Sequence, residues 1–388
     1  MNKTKTSDKK VSSKNNIIEN VKISNFTVFK NAEINFSKGL NVFIGKNGTG
    51  KTHLLKLINC LDYNFYDDKL KIKIEYKKSY PISFNLNKIF SKYSCKNINE
   101  EIYKISEIIG TKKNKELNKN VFLSFTEPNI FIEFNNNIKL NSTMTDFEGS
   151  GYDNLYNIIY HLNENSKKYL NKKCTFIPCK DILTSSNGFA ALYDKRDINF
   201  EAIYYNIIKK TELPKLRELD DDLLEIAKKI ENAIGGKTIY KNNNFFIDYK
   251  NIGEVSFDMV AEGHKKLALI YILIMNGEID KNTILLLDEP ESNLNPSLTD
   301  LLVNILLSLS KLGLQIFIAT HNSFILDDIE LQRTNKDSIM YHSFYFDEDD
   351  FSSGVKIESK EILLDLENNP INEKIIKQHN EYIEEMIK

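Results

Sequence analysis

The chain lacks the features that mark several large classes of protein. Its 388 residues carry a formal net charge of -2 at pH 7, so the whole chain is not a basic nucleic-acid clamp. No apolar run is long enough to cross a bilayer. The sequence has no sustained heptad pattern, so a long coiled coil is not expected, and it has no internal repeat. With 41% hydrophobic residues, the composition is that of a soluble globular protein with one large domain or two ordinary ones.

Cysteine is also scarce, and its spacing excludes the common zinc sites. The four cysteines, Cys60, Cys95, Cys174 and Cys179, match no zinc-binding pattern. The last two flank the segment CTFIPC, which is predicted to be a buried strand. We therefore expect reduced structural thiols in a cytoplasmic protein.

The first 16 residues, MNKTKTSDKKVSSKNN, are polar and rich in lysine. They have no apolar core, so they are not a secretory signal. We expect a disordered leader over residues 1–16, and a nucleic-acid-binding arm is the alternative.

Apolar patterning predicts regular structure at both ends of the chain. Residues 17–44 are predicted to form strands, which a glycine-rich turn and a helix follow. The later predicted elements are a helix (262–276), a buried strand (283–288), a helix (296–311) and a buried strand (314–319). Fully apolar strands of this kind are typical of parallel strands that are covered on both faces. The acidic run at 347–350 is most simply a solvated turn.

The octapeptide GKNGTGKT, Gly45–Thr52, matches the phosphate-binding pattern GxxxxGK[ST] between an apolar strand and a helix. Its glycines let backbone N–H groups turn toward phosphates, and the helix N-terminus adds a positive dipole. We expect Lys51 to reach the β- and γ-phosphates and the Thr52 hydroxyl to bind Mg²⁺. The predicted nucleotide-binding residues are Gly45, Lys46, Asn47, Gly48, Thr49, Gly50, Lys51, Thr52 and His53.

A second motif, ILLLDEP at Ile284–Pro290, would complete the site. Its apolar strand carries Asp288 to the edge of the sheet, where the carboxylate can hold Mg²⁺ through water. Glu289 is then positioned to orient or deprotonate the attacking water. Two acids after an apolar run could instead cap a helix, but the phosphate-binding loop favours the catalytic interpretation.

A third motif, IATHNSFIL at Ile318–Leu326, puts His321 just after the strand expected beside that of Asp288. A single histidine at a strand end is usually structural. In this joint pattern it could contact the γ-phosphate and sense its loss, so we predict a catalytic role for His321 beside Glu289.

The order of these motifs resembles the ABC-type ATPases of the SMC, RecF and OLD group. The opening IENVKISNFTVFKNAEINFSKGLNVFIGKNGTGKT is similar to the N-terminal lobe of that group, and the resemblance covers roughly residues 17–60 and 250–330. A weaker similarity, over CTFIPCKDILTSSNGFAALYDKRDINFEAIYYNII, is to small bacterial AAA-family ATPases. Many of these are encoded in antiphage-defence loci, such as AriA of PARIS and PtuA of Septu.

This resemblance implies an α/β fold: an ABC-type P-loop ATPase head with a mixed β-sheet core, flanking helices and a large helical or α+β insertion. The predicted segments are a disordered leader (1–16), the N-terminal part of the ATPase domain (17–61), an inserted lobe for a partner, a trigger or oligomerisation (62–250), and the C-terminal part with terminal strands and a helix (251–388).

The family also has a signature, LSGGQ or LSGGEK, which binds the γ-phosphate of ATP held by the other subunit. The matching residues here are Ala261, Glu262, Gly263, His264 and Lys265. The glycine at 263 is kept, but the serine is replaced by alanine and a glycine by glutamate. The resemblance further implies a D-loop made of Ser292, Asn293, Leu294 and Asn295.

These departures leave two interpretations of the signature helix open. A carboxylate near a triphosphate is unfavourable unless it turns away, yet backbone N–H groups with Lys265 or His264 could still contact the γ-phosphate. Alternatively, the helix only packs through Leu267, Ile270 and Ile274.

The glutamine that usually couples the ATP site to the insertion is missing. The glutamines are Gln315, Gln332 and Gln378, and none lies between Lys51 and Met259. Asparagine or glutamate could substitute, but the sequence singles out no residue.

The function implied is a slow, Mg²⁺-dependent ATPase that forms an ATP-sandwich homodimer, or a higher oligomer, and controls a separate effector protein. The expected effector is a nuclease or toxin, the trigger a phage protein, and no membrane is involved. The main alternative is a DNA-maintenance ATPase of the RecF or SMC kind, in which the lysines of 112–119 and of the N-terminal tail contact phosphates.

Two other classes fit less well. An OLD-type ATPase–nuclease needs a further Toprim domain, and only 67 residues of the 388 follow His321. A transporter subunit is disfavoured by the long insertion and by the missing glutamine.

Overall fold

The computed structural model describes residues 17–59, 81–84, 129–134, 139–146, 156–161, 173–196, 200–347 and 349–387. The predicted leader (1–16), Cys60, Cys95 and the lysines of 112–119 lie outside the described residues.

A six-stranded mixed sheet forms the centre of the fold. Its strands, in spatial order, are β15 (Val355–Lys360), β14 (Ile339–Phe346), β3 (Leu40–Gly45), β13 (Gln315–Ala319), β12 (Thr283–Asp288) and β8 (Lys173–Ile177). Neighbours from β14 to β8 are parallel, whereas β15 is antiparallel to β14. The strands predicted at 283–288 and 314–319 are confirmed, with the second starting one residue later, and they lie side by side as expected.

Hydrophobic layers cover both faces of this sheet, which explains why its strands are continuous apolar runs. In β12, Leu285 and Leu287 belong to one buried cluster, whereas Ile284 and Leu286 belong to the other. The helices are α1 (Lys51–Asn59), α2 (Phe189–Lys195), α3 (Ala202–Thr211), α4 (Asp221–Ile234), α5 (Glu262–Met275), α6 (Pro296–Lys311), α7 (Ser323–Gln332) and α8 (Pro370–Ile387). Short 3₁₀ turns lie at Leu183–Ser185, Phe257–Met259, Phe351–Ser353 and Leu363–Asp365.

Helix boundaries follow ordinary capping chemistry. The side chain of Asn295 caps α6 by accepting a hydrogen bond from the Ser297 N–H, and Pro296 is the first residue of the helix. Gly235, at φ 79°, ends α4 in the left-handed conformation. The first of these signals explains why the sequence predicted the start of α6 at residue 296.

An antiparallel sheet adjoins the central one. Its strands, in spatial order, are β2 (Phe29–Asn35), β1 (Ile18–Phe26), β5 (Asn129–Phe134), β6 (Lys139–Asp146), β7 (Tyr156–His161) and β4 (Pro81–Phe84). The buried side chain of Gln315, in β13, links the two sheets. It accepts from the Ile18 N–H at 2.9 Å and donates to the carbonyls of Ile18 and Ser37 at 2.8 and 2.9 Å.

A small three-stranded sheet contains β11 (Gly253–Ser256), β10 (Asn244–Tyr249) and β9 (Gly236–Lys241). Asn242 and Asn243 join β9 to β10 with φ values of 51° and 59°, as a two-residue type I′ turn requires. The segment TIYKNNNFFIDY, residues 238–249, therefore forms a hairpin.

Part of the segment assigned to an inserted lobe, residues 62–250, packs into the centre of the fold. Strand β8 pairs with β12, and Ile207 of α3 and Ile230 of α4 lie in the same buried cluster as α5 and α6. The predicted boundary at residue 250 therefore does not coincide with a break in packing. The reason is that the apolar strand Lys173–Ile177 can be buried only against another strand and its covering helices.

Candidate nucleotide-binding and hydrolysis site

Four loops meet at one edge of the central sheet. Strands β3, β13, β12 and β8 are consecutive parallel neighbours, so their carboxyl ends lie together. The phosphate-binding loop follows β3, Glu289 follows β12, His321 follows β13, and Cys179 follows β8. The sheet order thus brings together residues that are far apart in the sequence.

The phosphate-binding loop depends on three glycines at positive φ. Gly45, Gly48 and Gly50 have φ values of 148°, 81° and 88°. A Cβ at Gly45 would lie 2.4 Å from the carbonyl oxygen of Phe344, and one at Gly50 would lie 2.6 Å from a methyl group of Val28. A Cβ at Gly48 would meet nothing within 4 Å, so the loop is packed on one side and open on the other.

Lys51 lies buried under this loop. Its Nζ donates to the carbonyl oxygens of Gly45 at 2.8 Å and Lys46 at 3.0 Å. Burial lowers the pKa of Lys51 to about 8, although Asp288 and Glu289 act in the opposite direction. An anion at the loop would restore the charged form, because a nearby opposite charge favours it.

Thr52 and Asp288 face each other as the predicted metal pair. The Thr52 hydroxyl donates to the two carboxylate oxygens of Asp288 at 3.0 and 3.1 Å. Burial raises the pKa of Asp288, and the hydrogen bond from Thr52 opposes this rise. A hydroxyl and a carboxylate are the hard oxygen ligands that Mg²⁺ prefers, so these residues fit the ion. A bound Mg²⁺ would supply positive charge beside the phosphates.

Glu289 and His321 form the second predicted pair. Glu289 Oε1 lies 3.1 Å from His321 Nε2, and each side chain is 37% exposed. Glu289 adopts φ 47°, and its N–H donates to the carbonyl of Ala319 at 2.8 Å. Such left-handed backbone at a non-glycine residue is characteristic of functional sites. Burial and then Lys51 lower the pKa of His321, while Glu289 and the Gly45 backbone oppose them.

The remaining predicted loop residues divide into exposed and buried ones. Lys46 and Asn47 are exposed, whereas Thr49 is buried and donates to the Lys46 carbonyl at 2.8 Å. Burial lowers the pKa of His53 to about 4, so its ring is neutral at pH 7.

A lysine that the sequence analysis did not select joins two of these loops, the one after β12 and the one after β8. Lys266 Nζ donates to the carbonyl of Glu289 at 2.9 Å, to the carbonyl of Cys179 at 3.1 Å and to the hydroxyl of Ser292 at 2.8 Å. Burial lowers the pKa of Lys266, and the neighbouring Cys179 and carboxylates oppose the shift. Lys266 belongs to α5, the helix that opens with the signature segment, so this helix contacts the hydrolysis site within one chain.

Cys179 is a second residue that the sequence analysis did not assign to the site. Its Sγ lies 3.3 Å from Glu289 Oε2 and 3.4 Å from the Ser292 hydroxyl. Burial raises the pKa of the thiol, which keeps it protonated and able to donate to the carboxylate. The sequence signal was the apolar run before it, since the residue that follows a strand beside β12 must lie near Glu289.

Glu291 and Thr320 connect the loops after β12 and β13. The Thr320 hydroxyl donates to Glu291 Oε1, and both side chains are buried. Burial raises the pKa of Glu291, with the Thr320 hydrogen bond acting against it. This contact holds the two catalytic loops side by side, and the sequence analysis did not anticipate it.

The polar side chains of the signature segment are engaged within the chain. Ala261 precedes α5 without a side-chain cap, as expected from its missing hydroxyl. Lys265 is 5% exposed and its Nζ pairs with Glu262 Oε1 at 2.7 Å. His264 Nδ1 lies 3.1 Å from the Tyr249 hydroxyl.

Gly263 packs against the D-loop of the same chain. A Cβ at Gly263 would lie 3.1 Å from the carbonyl oxygen of Asn293 and 3.2 Å from Leu294 Cδ2. Asn293 has φ 65°, so the D-loop contains its own strained turn. The packing residues of α5, namely Leu267, Ile270 and Ile274, are fully buried. The helix thus makes the packing contacts expected from Leu267, Ile270 and Ile274. A contact between the backbone N–H groups at its start and a partner's phosphate stays a prediction.

Within the described parts of the chain, no cluster of three or more histidine, cysteine or acidic side chains could hold a further metal ion. In the acidic turn, Asp347 pairs with Lys356. None of the helices described is both long and apolar enough to traverse a bilayer.

The fold and the site define a P-loop nucleotide-binding protein. Residues 40–327 match the family described as "AAA domain, putative AbiEii toxin, Type IV TA system", and the chain belongs to this family. The predicted fold class, an ABC-type P-loop ATPase head with a mixed sheet and flanking helices, is confirmed.

Two curated relatives and one solved structure illustrate the similarity. The DNA replication and repair protein RecF of Francisella tularensis subsp. tularensis is 25% identical over 338 residues, which are 78% of this chain and 94% of the relative. The DNA double-strand break repair Rad50 ATPase of Methanococcus maripaludis is 46% identical over 43 residues, 11% of this chain and only 4% of that relative. The Smc head domain of Pyrococcus furiosus, solved with the C-terminal domain of ScpA, is 12% identical and covers 96% of this chain and 100% of its own, with a TM-score of 0.49.

Proposed function

We propose that this chain binds and hydrolyses ATP with Mg²⁺ and works as a nucleotide-driven switch on a separate effector protein. The observation that carries the proposal is the meeting of Lys51, the Thr52–Asp288 pair and the Glu289–His321 pair at one edge of the sheet. Membership of an AAA family supports nucleotide use.

Each residue has a distinct task in this proposal. The loop N–H groups and Lys51 bind the β- and γ-phosphates, and Thr52 and Asp288 hold the metal. Glu289 orients or deprotonates the attacking water. His321 contacts the γ-phosphate and, through its hydrogen bond with Glu289, reports whether that group is present.

The switch would close when two copies enclose two nucleotides. In each site the partner contributes the start of α5, where unpaired backbone N–H groups and the helix dipole favour an anion. The γ-phosphates would bias the closed state, and hydrolysis would remove that bias. Because the serine of the signature is replaced by Ala261, turnover is expected to be slow.

The first test is Glu289→Gln. This variant should bind ATP normally, hydrolyse it at least about 100-fold more slowly, and gain mass as an oligomer when ATP is added. Glu225→Gln, at an exposed position of α4, is the matched control and should behave like the unmodified chain. An unchanged hydrolysis rate would refute the role of Glu289, and the absence of any ATP-dependent gain in mass would refute the sandwich.

The biological role proposed is antiphage defence, with a nuclease or toxin as the effector and a phage protein as the trigger. It is supported by the match to a family whose description names a putative AbiEii toxin of a type IV toxin–antitoxin system. The resemblance to AriA of PARIS and PtuA of Septu also supports it. Expression of this chain alone should give neither protection nor toxicity, whereas co-expression with its effector should. Full protection by the chain alone would contradict the need for a second protein.

A second candidate is an ATPase that acts on DNA, since the RecF relative aligns over 94% of its length. DNA should then stimulate ATP hydrolysis at low salt, and the stimulation should fall steeply as salt rises. A rate that is unchanged by DNA at low salt would favour the defence switch.

A further inference from the structure

Helix α8 carries an apolar face that is exposed in the described parts of the chain. The helix has 18 residues and no buried side chain. Its exposed apolar residues are Ile375, Ile376, Tyr382, Ile383, Met386 and Ile387, which are 40% to 80% exposed. An uncovered apolar face of this kind marks a contact site, and an isolated amphipathic helix of this length is only marginally stable. We propose that α8 pairs in antiparallel orientation with α8 of a second copy of this chain.

The first argument is the symmetry of the apolar face. At about 100° per residue, Ile375, Ile376, Tyr382 and Ile383 form one stripe with His379 at its middle. In an antiparallel pair that crosses at His379, Ile376 meets the partner's Ile383, and Ile375 meets the partner's Tyr382. Each of these four apolar residues therefore meets an apolar residue of the partner helix.

The second argument comes from the crossing point, where each residue meets its own copy. A polar side chain can hydrogen-bond to its own copy there only if it both donates and accepts hydrogen bonds. The three residues at the centre are Gln378, His379 and Asn380, and all three are of this type. Lysine or glutamate at these positions would put like charges together, and neither occurs there.

The third argument is charge. The N-terminal half of the helix carries Lys374 and Lys377 against one acid, Glu373, whereas the C-terminal half carries Glu381, Glu384 and Glu385 with no lysine or arginine. Antiparallel pairing sets each basic half beside an acidic half, and it also opposes the two helix dipoles favourably. Parallel pairing would set the acidic halves together. A two-fold antiparallel contact is also the ordinary symmetry of a homodimer.

This contact is distinct from the ATP sandwich because it needs no nucleotide. Lys51→Ala should therefore leave the α8 dimer intact while abolishing any ATP-dependent gain in mass. The two proposals can fail separately, since the Glu289→Gln experiment reads only the change that ATP causes.

The test is the mass of the full-length, nucleotide-free chain between about 1 and 50 µM, measured by analytical ultracentrifugation. The unmodified chain should dimerise, and Ile376→Lys with Ile383→Lys should raise the dissociation constant by about 100-fold or more. Both positions are exposed, so folding should survive, and circular dichroism checks this. Leu331→Lys, at an exposed apolar position of α7, is the matched control and should leave the dimer unchanged.

Disulfide trapping tests the orientation. Ile376→Cys mixed with Ile383→Cys should cross-link above the level of the unmodified chain, and neither variant alone should. Cross-linking of each variant with itself would indicate parallel helices and overturn the proposal. A chain that is monomeric throughout this concentration range, or a dimer that survives the double lysine variant, would also overturn it.

Discussion

Two regions differ in how their polar groups are used: the sheet edge that carries Lys51, Thr52, Asp288, Glu289 and His321, called the edge below, and the signature segment 261–265. At the edge, Thr52 faces Asp288 and Glu289 faces His321. The phosphate-binding loop beside them is open at Gly48, where a Cβ would meet no atom within 4 Å. In the signature, Lys265 and His264 are already bound to groups of their own chain. One region is arranged around a ligand, and the other is closed on itself.

This difference indicates what a single copy can do. In the proposed function, the edge contains the groups that bind and activate a nucleotide, because parallel strands bring them together without a partner. The signature could offer a partner's phosphate only the backbone at the start of α5 unless Lys265 leaves Glu262. Under this proposal a single copy is equipped for binding, and a second copy would complete catalysis.

The largest effect on the hydrolysis rate is expected from replacing Gly263 of the signature segment. Gly263→Val should lower the hydrolysis rate at least about 100-fold while the affinity for ATP is preserved. The loss has two physical explanations, because a Cβ at this position presses on Asn293 and Leu294 of the same chain as well as blocking a partner's phosphate.

Mixing two inactive variants separates these explanations. In a sandwich of Gly263→Val with Glu289→Gln, one site carries both lesions and the other carries none. Mixed dimers should therefore recover about half of the unmodified activity per dimer if the signature acts on its partner's nucleotide. A mixture with no activity would show that Gly263 matters only for its own D-loop.

The link between the two regions, Lys266, should give the next largest effect. Lys266→Met leaves the carbonyls of Glu289 and Cys179 without their donor, so the turnover number should fall by about 10- to 100-fold with little change in KM. Lys215→Met is the matched control, since it also removes a lysine that donates to a backbone carbonyl, that of Thr238 in the three-stranded sheet. Lys266 would be a purely structural residue if Lys266→Met lost stability and ATP binding together with turnover. The same conclusion would follow if Lys266→Arg, which keeps a donor, did not restore the turnover number.

The pH dependence of binding sharpens the account of the edge. The pKa of Lys51 is lowered to about 8, and a bound triphosphate should raise it. As pH rises above about 8, the free site loses the proton that binding requires, so ATP affinity should fall by up to about tenfold per pH unit. Between pH 6 and 7 this contribution should be flat. Titration of the dissociation constant checks it, and Lys51→Arg should bind with no such dependence because arginine stays charged.

The smallest effect is expected at Cys179. Cys179→Ala removes one contact with Glu289 and one with Ser292, so the turnover number should fall by about 2- to 10-fold. Cys179→Ser keeps a donor and should recover most of the rate. Equal rates for the two variants would mean that the thiol only fills space.

The sequence by itself determined several strands and helices and the candidate residues of the site. Apolar runs predicted strands 283–288 and 314–319, and the octapeptide at 45–52 predicted the phosphate-binding loop between a strand and a helix. These features depend on local chemistry: side-chain periodicity, glycine conformation and helix capping. They are therefore visible within a short window of residues.

Only the tertiary structure decided which distant residues meet. Cys179 lies beside Glu289 because β8 joins the sheet next to β12, and no local pattern specifies that order of strands. In the sequence Lys266 is one more charge on a helix, but in the fold it is buried and donates to three groups in two loops. The missing glutamine could not be replaced by inspection of the sequence for the same reason: strand order and burial depend on the whole core, whereas motifs depend on their neighbours along the chain.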